Sequence, residues 1–158
     1  MNTGESSGRS KFNNSQSGNK YFSEENVLTR IERGREMFLE FAERGVRHAP
    51  FLCRAFIALE QSLSFAFQLD WGRMGPYMQL AGEELQMADA FAPLKIADEC
   101  GGEETVDLLK QVTRRLYAAY SSMQRFVDSR DRTFLFDTRQ QLESVLFDLV
   151  LNKKRVAA

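Results

Sequence analysis

Apolar side chains recur at helical spacing from residue 21 to residue 152 with little interruption, so the pattern predicts helices throughout, and strand signals are weak. In the first stripe Val27, Leu28, Ile31, Phe38, Phe41 and Ala42 follow Ser23. The Ser23 hydroxyl is placed to cap a helix that opens with Glu24 and Glu25 on its positive dipole end, and Gly45 supplies the stop. Arg30, Arg33, Glu36, Glu40 and Glu43 form the other face and read as solvated.

Pro50 suits the first turn of a second helix, in which one stripe runs through Leu52, Phe56, Leu59, Leu63 and Phe67. A second stripe, Phe51, Ala55, Ala58, Phe65 and Leu69, leaves only Arg54, Gln61, Ser64 and Gln68 as a polar strip. A helix apolar on most of its circumference is either the centre of a bundle or has one face reserved for a partner. The run from Gly72 to Pro76 predicts a break after Trp71 and a third helix from Pro76, carrying Tyr77, Leu80, Ala81, Leu85, Ala88 and Phe91. Pro93 closes or kinks it; Leu94, Ile96 and Ala97 predict a short helical piece that reaches Cys100 and is stopped by Gly101 and Gly102.

The fourth helix has the cleanest period, Val106, Leu109, Val112, Leu116, Tyr120, Met123 and Val127, behind Glu103, Glu104 and Asp107 in its first turns. A short turn near Ser129 to Asp131 predicts an antiparallel last helix built on Leu135, Leu142, Val145, Leu146, Leu149 and Val150, with Lys153, Lys154 and Arg155 at its negative dipole end. No internal repeat is visible. The expected fold is therefore all-α, a four- or five-helix bundle formed by residues 21–158 as one domain. Residues 1–20 are rich in Ser, Asn and Gly with only Met1 and Phe12 as large apolar side chains, and are expected to form a disordered N-terminal arm, because they cannot offset the entropy of ordering.

Composition narrows the function less than the fold. The 43% apolar and 27% charged residues are ordinary for a globular chain, and a net charge of −1 excludes a generally basic nucleic-acid coat. Cys53 and Cys100 lie far apart within or beside apolar segments and read as small buried hydrophobes. The first residues hold no signal-peptide h-region, and no stretch approaches the ~18 consecutive apolar residues of a membrane span. The expected location is the cytoplasm, without a membrane partner.

Catalytic chemistry finds little to work with. His48 is the only imidazole, at the start of the second helix and with no nucleophile at a recognisable spacing. Helical carboxylate metal bundles need Glu-x-x-His pairs, and no Glu here is followed three residues later by histidine. Neither a catalytic residue, nor a metal, nor a cofactor is expected, and the chain reads as no enzyme.

Charge is segregated instead. Between Pro76 and Asp107, eight acids (Glu83, Glu84, Asp89, Asp98, Glu99, Glu103, Glu104 and Asp107) face only Lys95, a balance of −7, whereas the chain from Leu108 onward carries +5. Such blocks either pair across a bundle or steer separate faces to partners or to a second copy. Thirteen phenylalanines and six methionines supply adaptable apolar surface. The cluster Phe65, Phe67, Trp71 and Met74 at the end of the second helix is a candidate groove for an amphipathic helix, and Arg125, Arg130 and Arg132 a candidate basic corner.

The run Gly101, Gly102, Glu103 followed by Leu116, Tyr117, Tyr120 and Met123 resembles the flagellin export chaperones, small helical bundles that wrap a partner's disordered terminus. The resemblance covers a minor part of the chain. The Leu-Tyr element sits about one heptad further from the glycines than in that family, and the first helix lacks its Leu-Tyr-Asp-Gly element, so no functional residue is carried over.

The function expected from the sequence is a non-enzymatic protein-binding adaptor or chaperone. Its partner is another protein presenting a helical or disordered segment, or a second copy of the chain, held by Phe65, Phe67, Trp71, Met74, Arg125, Arg130 and Arg132. One alternative is a regulatory binder of a small apolar ligand in the bundle core. The other is a nucleic-acid-binding helical protein, in which Tyr117, Tyr120 and Phe126 would interleave with Arg114, Arg115 and Arg125. It is disfavoured because Tyr120 falls on the core stripe and the acidic segment directly precedes these residues.

Overall fold

Helix α1 (Glu24–Glu43) ends as the sequence predicts. Gly45 takes a left-handed φ of 94°, Val46 N–H returns to the Phe41 carbonyl at 3.0 Å and Gly45 N–H to Ala42 at 3.0 Å, the paired bonds of a Schellman turn. The computed structural model describes residues 24–157, with side chains over residues 26–154; the expected arm at residues 1–20 and the Ser23 cap lie outside the described residues. Internal packing divides the chain into residues 1–30 and 31–158. Of the first unit, residues 24–30 are the opening turns of α1. The rest of α1 and the other helices belong to the second.

Helix α2 (Ala49–Phe67) carries its proline in the first turn and buries Leu52, Phe56, Leu59 and Leu63. It packs against the three helices that follow it, and Phe56 also meets Phe38 of α1 with ring centroids 6.0 Å apart. Its two-sided apolarity is thus absorbed within the bundle. A carboxylate, Glu60, is wholly buried on the same helix.

The break after α2 comes earlier than the glycine and proline signals imply. Leu69 adopts φ 58°, with Asp70 N–H bonding the Phe65 carbonyl at 2.9 Å and Leu69 N–H bonding Ala66 at 3.0 Å, so a Schellman turn forms without glycine. The Asp70 carboxylate then accepts the Arg73 N–H at 3.3 Å and caps α3 (Trp71–Phe91), which leaves Pro76 inside the helix instead of at its start. Ala92 is extended, as a residue before proline prefers, and the predicted helical piece from Leu94 is irregular chain closing in a short 3-10 turn at Asp98–Cys100.

Helix α4 (Gly102–Ser129) starts behind Gly101 at φ 110°, where an added Cβ would run into the Thr105 side chain. Arg130 takes a left-handed conformation, Asp131 accepts the Thr133 N–H at 3.0 Å, and α5 (Thr133–Ala157) returns antiparallel. The described residues contain five α-helices and no strand. Two hairpins, α2 with α3 and α4 with α5, enclose a core in which Phe38, Phe56, Leu85, Leu109, Leu116, Met123, Phe126 and Leu142 are all but fully buried. No helix among the described residues is long and apolar enough to cross a membrane.

Candidate functional site

The hairpins bring two sets of chain segments together, one at each end. At the end holding the α2–α3 and α4–α5 turns lie most of the residues nominated from the sequence. Trp71 stacks on Phe126 with centroids 5.3 Å apart and planes 11° from parallel, and the Arg130 guanidinium carbon sits 3.9 Å above the Trp71 ring. Arg132 lies over Phe67 at 5.8 Å, and Phe67 meets Phe136 edge-on at 5.4 Å. Phe65 stacks on Tyr77 under Arg73 instead, on the α2–α3 seam. Met74 is 3% exposed and belongs to the core, its carbonyl accepting the buried Ser62 hydroxyl at 3.3 Å. Arg125 is exposed on α4, and no ring lies beneath it among the described residues. These rings and cations pack on one another, so the corner is a clasp between turns, with Phe136 and Leu69 left exposed at its edge.

The other end is open. A groove of about 590 Å³ runs between the α1–α2 turn and the connection from α3 to α4, lined by Arg44, Val46, Arg47, Phe91, Pro93 and Ile96 among others. Lys95 and Cys100 also border it. Beside it Leu94, which also lines a neighbouring hollow with Ile96, is 94% exposed. Arg47 lies over the Phe91 ring at 5.4 Å, and Phe91 stacks on Phe51 at 5.2 Å, so the aromatic floor is held in place from α2. Cys100 donates its thiol hydrogen to the Arg44 carbonyl at 2.8 Å and ties the two walls together. Arg44, Arg47 and Lys95 make no ion pair among the described residues. Elsewhere Phe147 and Leu151 are exposed on α5, but the hollow beside Leu151 is lined mainly by Glu104, Asp107, Gln111, Asp148 and Asn152 and offers an apolar segment little.

A smaller cleft of about 210 Å³ adjoins the groove, sharing Ala92, Pro93 and Ile96 with it and adding His48, Asp89, Val106, Lys110, Thr113 and Arg114. His48 is 5% exposed and its Nδ1 is sealed from solvent without a hydrogen-bond partner. Burial holds this imidazole below its ordinary pKa of 6.5, an effect that the nearby Asp89 carboxylate opposes in part. The Tyr117 hydroxyl on α4 donates to Asp89 on α3 at 2.5 Å, and burial together with that carboxylate pushes the phenol up to about 12. Burial raises the Cys53 thiol, which keeps it protonated and unreactive.

The segregated charges do not neutralise one another block against block in the ion pairs seen. Arg54 reaches Glu84 at 3.1 Å, Arg115 reaches Asp148 at 2.8 Å, and Lys153 reaches Glu40 at 3.1 Å. No group of three or more His, Cys, Asp and Glu side chains among the described residues is placed to hold a metal ion.

Sequence reasoning missed the groove because its walls come from residues 44–47 and 90–100, which only the antiparallel packing of α2 and α3 brings side by side. The one local signal was Leu94 and Ile96 after a helix-ending proline, and periodicity assigned those to a helix. No protein-family model matches the chain, no curated protein is significantly similar to it in sequence, and no solved structure is significantly similar to it in fold, so the resemblance of Gly101–Met123 to flagellin export chaperones stands on those residues alone.

Proposed function

We propose that this chain is a non-enzymatic protein-binding adaptor or chaperone of the cytoplasm, and that it captures its partner in the groove between the α1–α2 turn and the α3–α4 connection. The observation that carries the reading is the combination of the freely exposed Leu94 with an apolar floor of Phe91, Pro93 and Ile96 rimmed by Arg44, Arg47 and Lys95. Exposed apolar surface of this kind marks an interaction site more often than it marks neglect. The rim selects the partner: a segment that lays two or three apolar side chains in the groove while carrying Asp or Glu beside them. Capture is placed here, away from Phe65, Phe67, Trp71 and Met74, because those side chains are stacked or buried within the fold. The same stacking weighs against nucleic acid, since Arg130 and Arg132 already cover rings that bases would need.

The test is native mass spectrometry of the full chain purified gently from its own cells. A stoichiometric second polypeptide is expected, lost from Leu94→Asp and from Arg47→Glu while the helical circular dichroism of both variants is unchanged. Retention of that polypeptide by both variants contradicts the assignment of the groove.

A further inference from the structure

The 210 Å³ cleft beside the groove contains a feature that protein capture does not need, a buried imidazole with an unanswered nitrogen. His48 Nδ1 has no partner, so protonating it would bury an N–H with nothing to accept it. The neutral ring therefore keeps its hydrogen on Nε2, the only ring nitrogen through which it can bond outward. Lys110 and Arg114, one turn apart on α4, line the same cleft, and neither is ion-paired among the described residues. Asp89 is the single carboxylate there, and its Oδ2 is taken by the Tyr117 hydroxyl; the Thr113 hydroxyl is likewise spent on the Leu109 carbonyl at 2.7 Å.

Two cations, one carboxylate and a neutral imidazole leave the lining one positive charge in excess, which a monoanion neutralises and a dianion overshoots. The remaining walls, Ala88, Ala92, Pro93, Ile96 and Val106, are apolar, and the cleft is open to solvent on one side. At roughly 30 Å³ per water of liquid volume, a cleft of about 210 Å³ takes a ligand on the order of seven heavy atoms. We propose that this cleft binds a small monocarboxylate with an apolar body, its oxygens held by Lys110, Arg114 and the Nε2 hydrogen of His48, and its hydrocarbon end against Ile96 and Val106. Lys110 and Arg114 supply charge-assisted donors, the class of hydrogen bond best suited to a carboxylate at a wet rim. The proposal does not rest on partner capture, although the cleft shares Ala92, Pro93 and Ile96 with the groove, and it differs from a purely apolar pocket in the core, since it opens beside the α3–α4 connection.

His48 is the only histidine in the chain, so its ring nitrogens give a single pair of signals in a proton–nitrogen correlation spectrum of the labelled full-length protein. The probe is 4-methylpentanoate, titrated at pH 7.5 into wild type, Lys110→Gln and Arg114→Gln, with 4-methylpentan-1-ol and acetate as comparators. Saturable movement of the Nε2 signal is expected at millimolar 4-methylpentanoate. Each glutamine variant should bind about tenfold more weakly, a loss of about 1.4 kcal/mol, while the alcohol leaves the signal in place and acetate moves it only at higher concentration. Both replaced residues are exposed, so the variants keep the fold. An unmoved His48 signal overturns the proposal, as does equal movement in the two variants, with the alcohol, or with acetate at the same concentration.

Discussion

The guanidinium carbon of Arg130 lies 3.9 Å above the Trp71 ring, which also stacks on Phe126. These contacts join the α4–α5 turn to the start of α3. A cation over an indole contributes about 0.5–2 kcal/mol. Arg130→Ala should lower stability within that range, and Arg130→Lys should retain part of it. Trp71→Ala should cost more, at or below the ~3–5 kcal/mol of a fully buried tryptophan, because Trp71 is only half-buried. As Trp71 is the only tryptophan, its fluorescence should shift to the red in Arg130→Ala before any unfolding; denaturant melts check the energies.

Acid should weaken the fold through His48. Its folded pKa lies below the ordinary 6.5, so in the interval between the two values the unfolded chain binds a proton that the fold refuses. Stability is full above about pH 6.5 and falls as pH drops toward the folded value. Urea midpoints between pH 7.5 and 5 should decline in wild type and decline less in a folded His48→Gln variant.

Alkali acts on Tyr117 with the opposite sign. Its pKa is raised from 10 to about 12 by burial and by Asp89, so stability present below pH 10 is lost as pH rises through 10 to 12. Absorbance at 295 nm should reveal a tyrosinate forming only near pH 12, absent from Tyr117→Phe. Asp89→Asn should let Tyr117 ionise at lower pH.

Gly34 permits α1 to approach α2. A Cβ there would land on the ring of Phe56, which is fully buried and closed in by Phe38. Gly34→Ala gains about 1 kcal/mol in helix propensity but overpacks by about 1–3 kcal/mol. Thermal melts should show a net loss of stability, whereas the same change at the exposed Gly75, where a Cβ meets nothing, should not.

Much of this bundle was legible in periodicity. Val106, Leu109, Val112, Leu116 and Met123 are buried as the α4 stripe predicts, and Leu135, Leu142, Val145, Leu146 and Leu149 as the α5 stripe predicts. The α2–α3 break was misplaced because Leu69 in a left-handed turn leaves no mark in the sequence, while Asp70 outcompetes Pro76 as the helix start. Glu60 sits four residues after Phe56, in line with the buried face of α2, and a charged residue on a core stripe was the overlooked sign of an internal polar group. The sequence brought Phe67, Trp71, Arg130 and Arg132 to notice because aromatic and basic residues flank two turns. It could not say that they would satisfy one another. The groove was illegible for the opposite reason: its apolar and basic residues are ordinary one by one and gain meaning only through the meeting of distant segments.

Partner capture beside Leu94 is tested most directly by placing a photo-crosslinking phenylalanine derivative at position 94 of the full chain in its own cells, with Gln140, exposed on α5, as the control position. The account predicts one protein crosslinked at position 94 and not at position 140, joined through a segment with apolar residues flanked by Asp or Glu, and lost when Arg47→Glu is added. Crosslinks that match at both positions, or a partner attached through a basic segment, would contradict it.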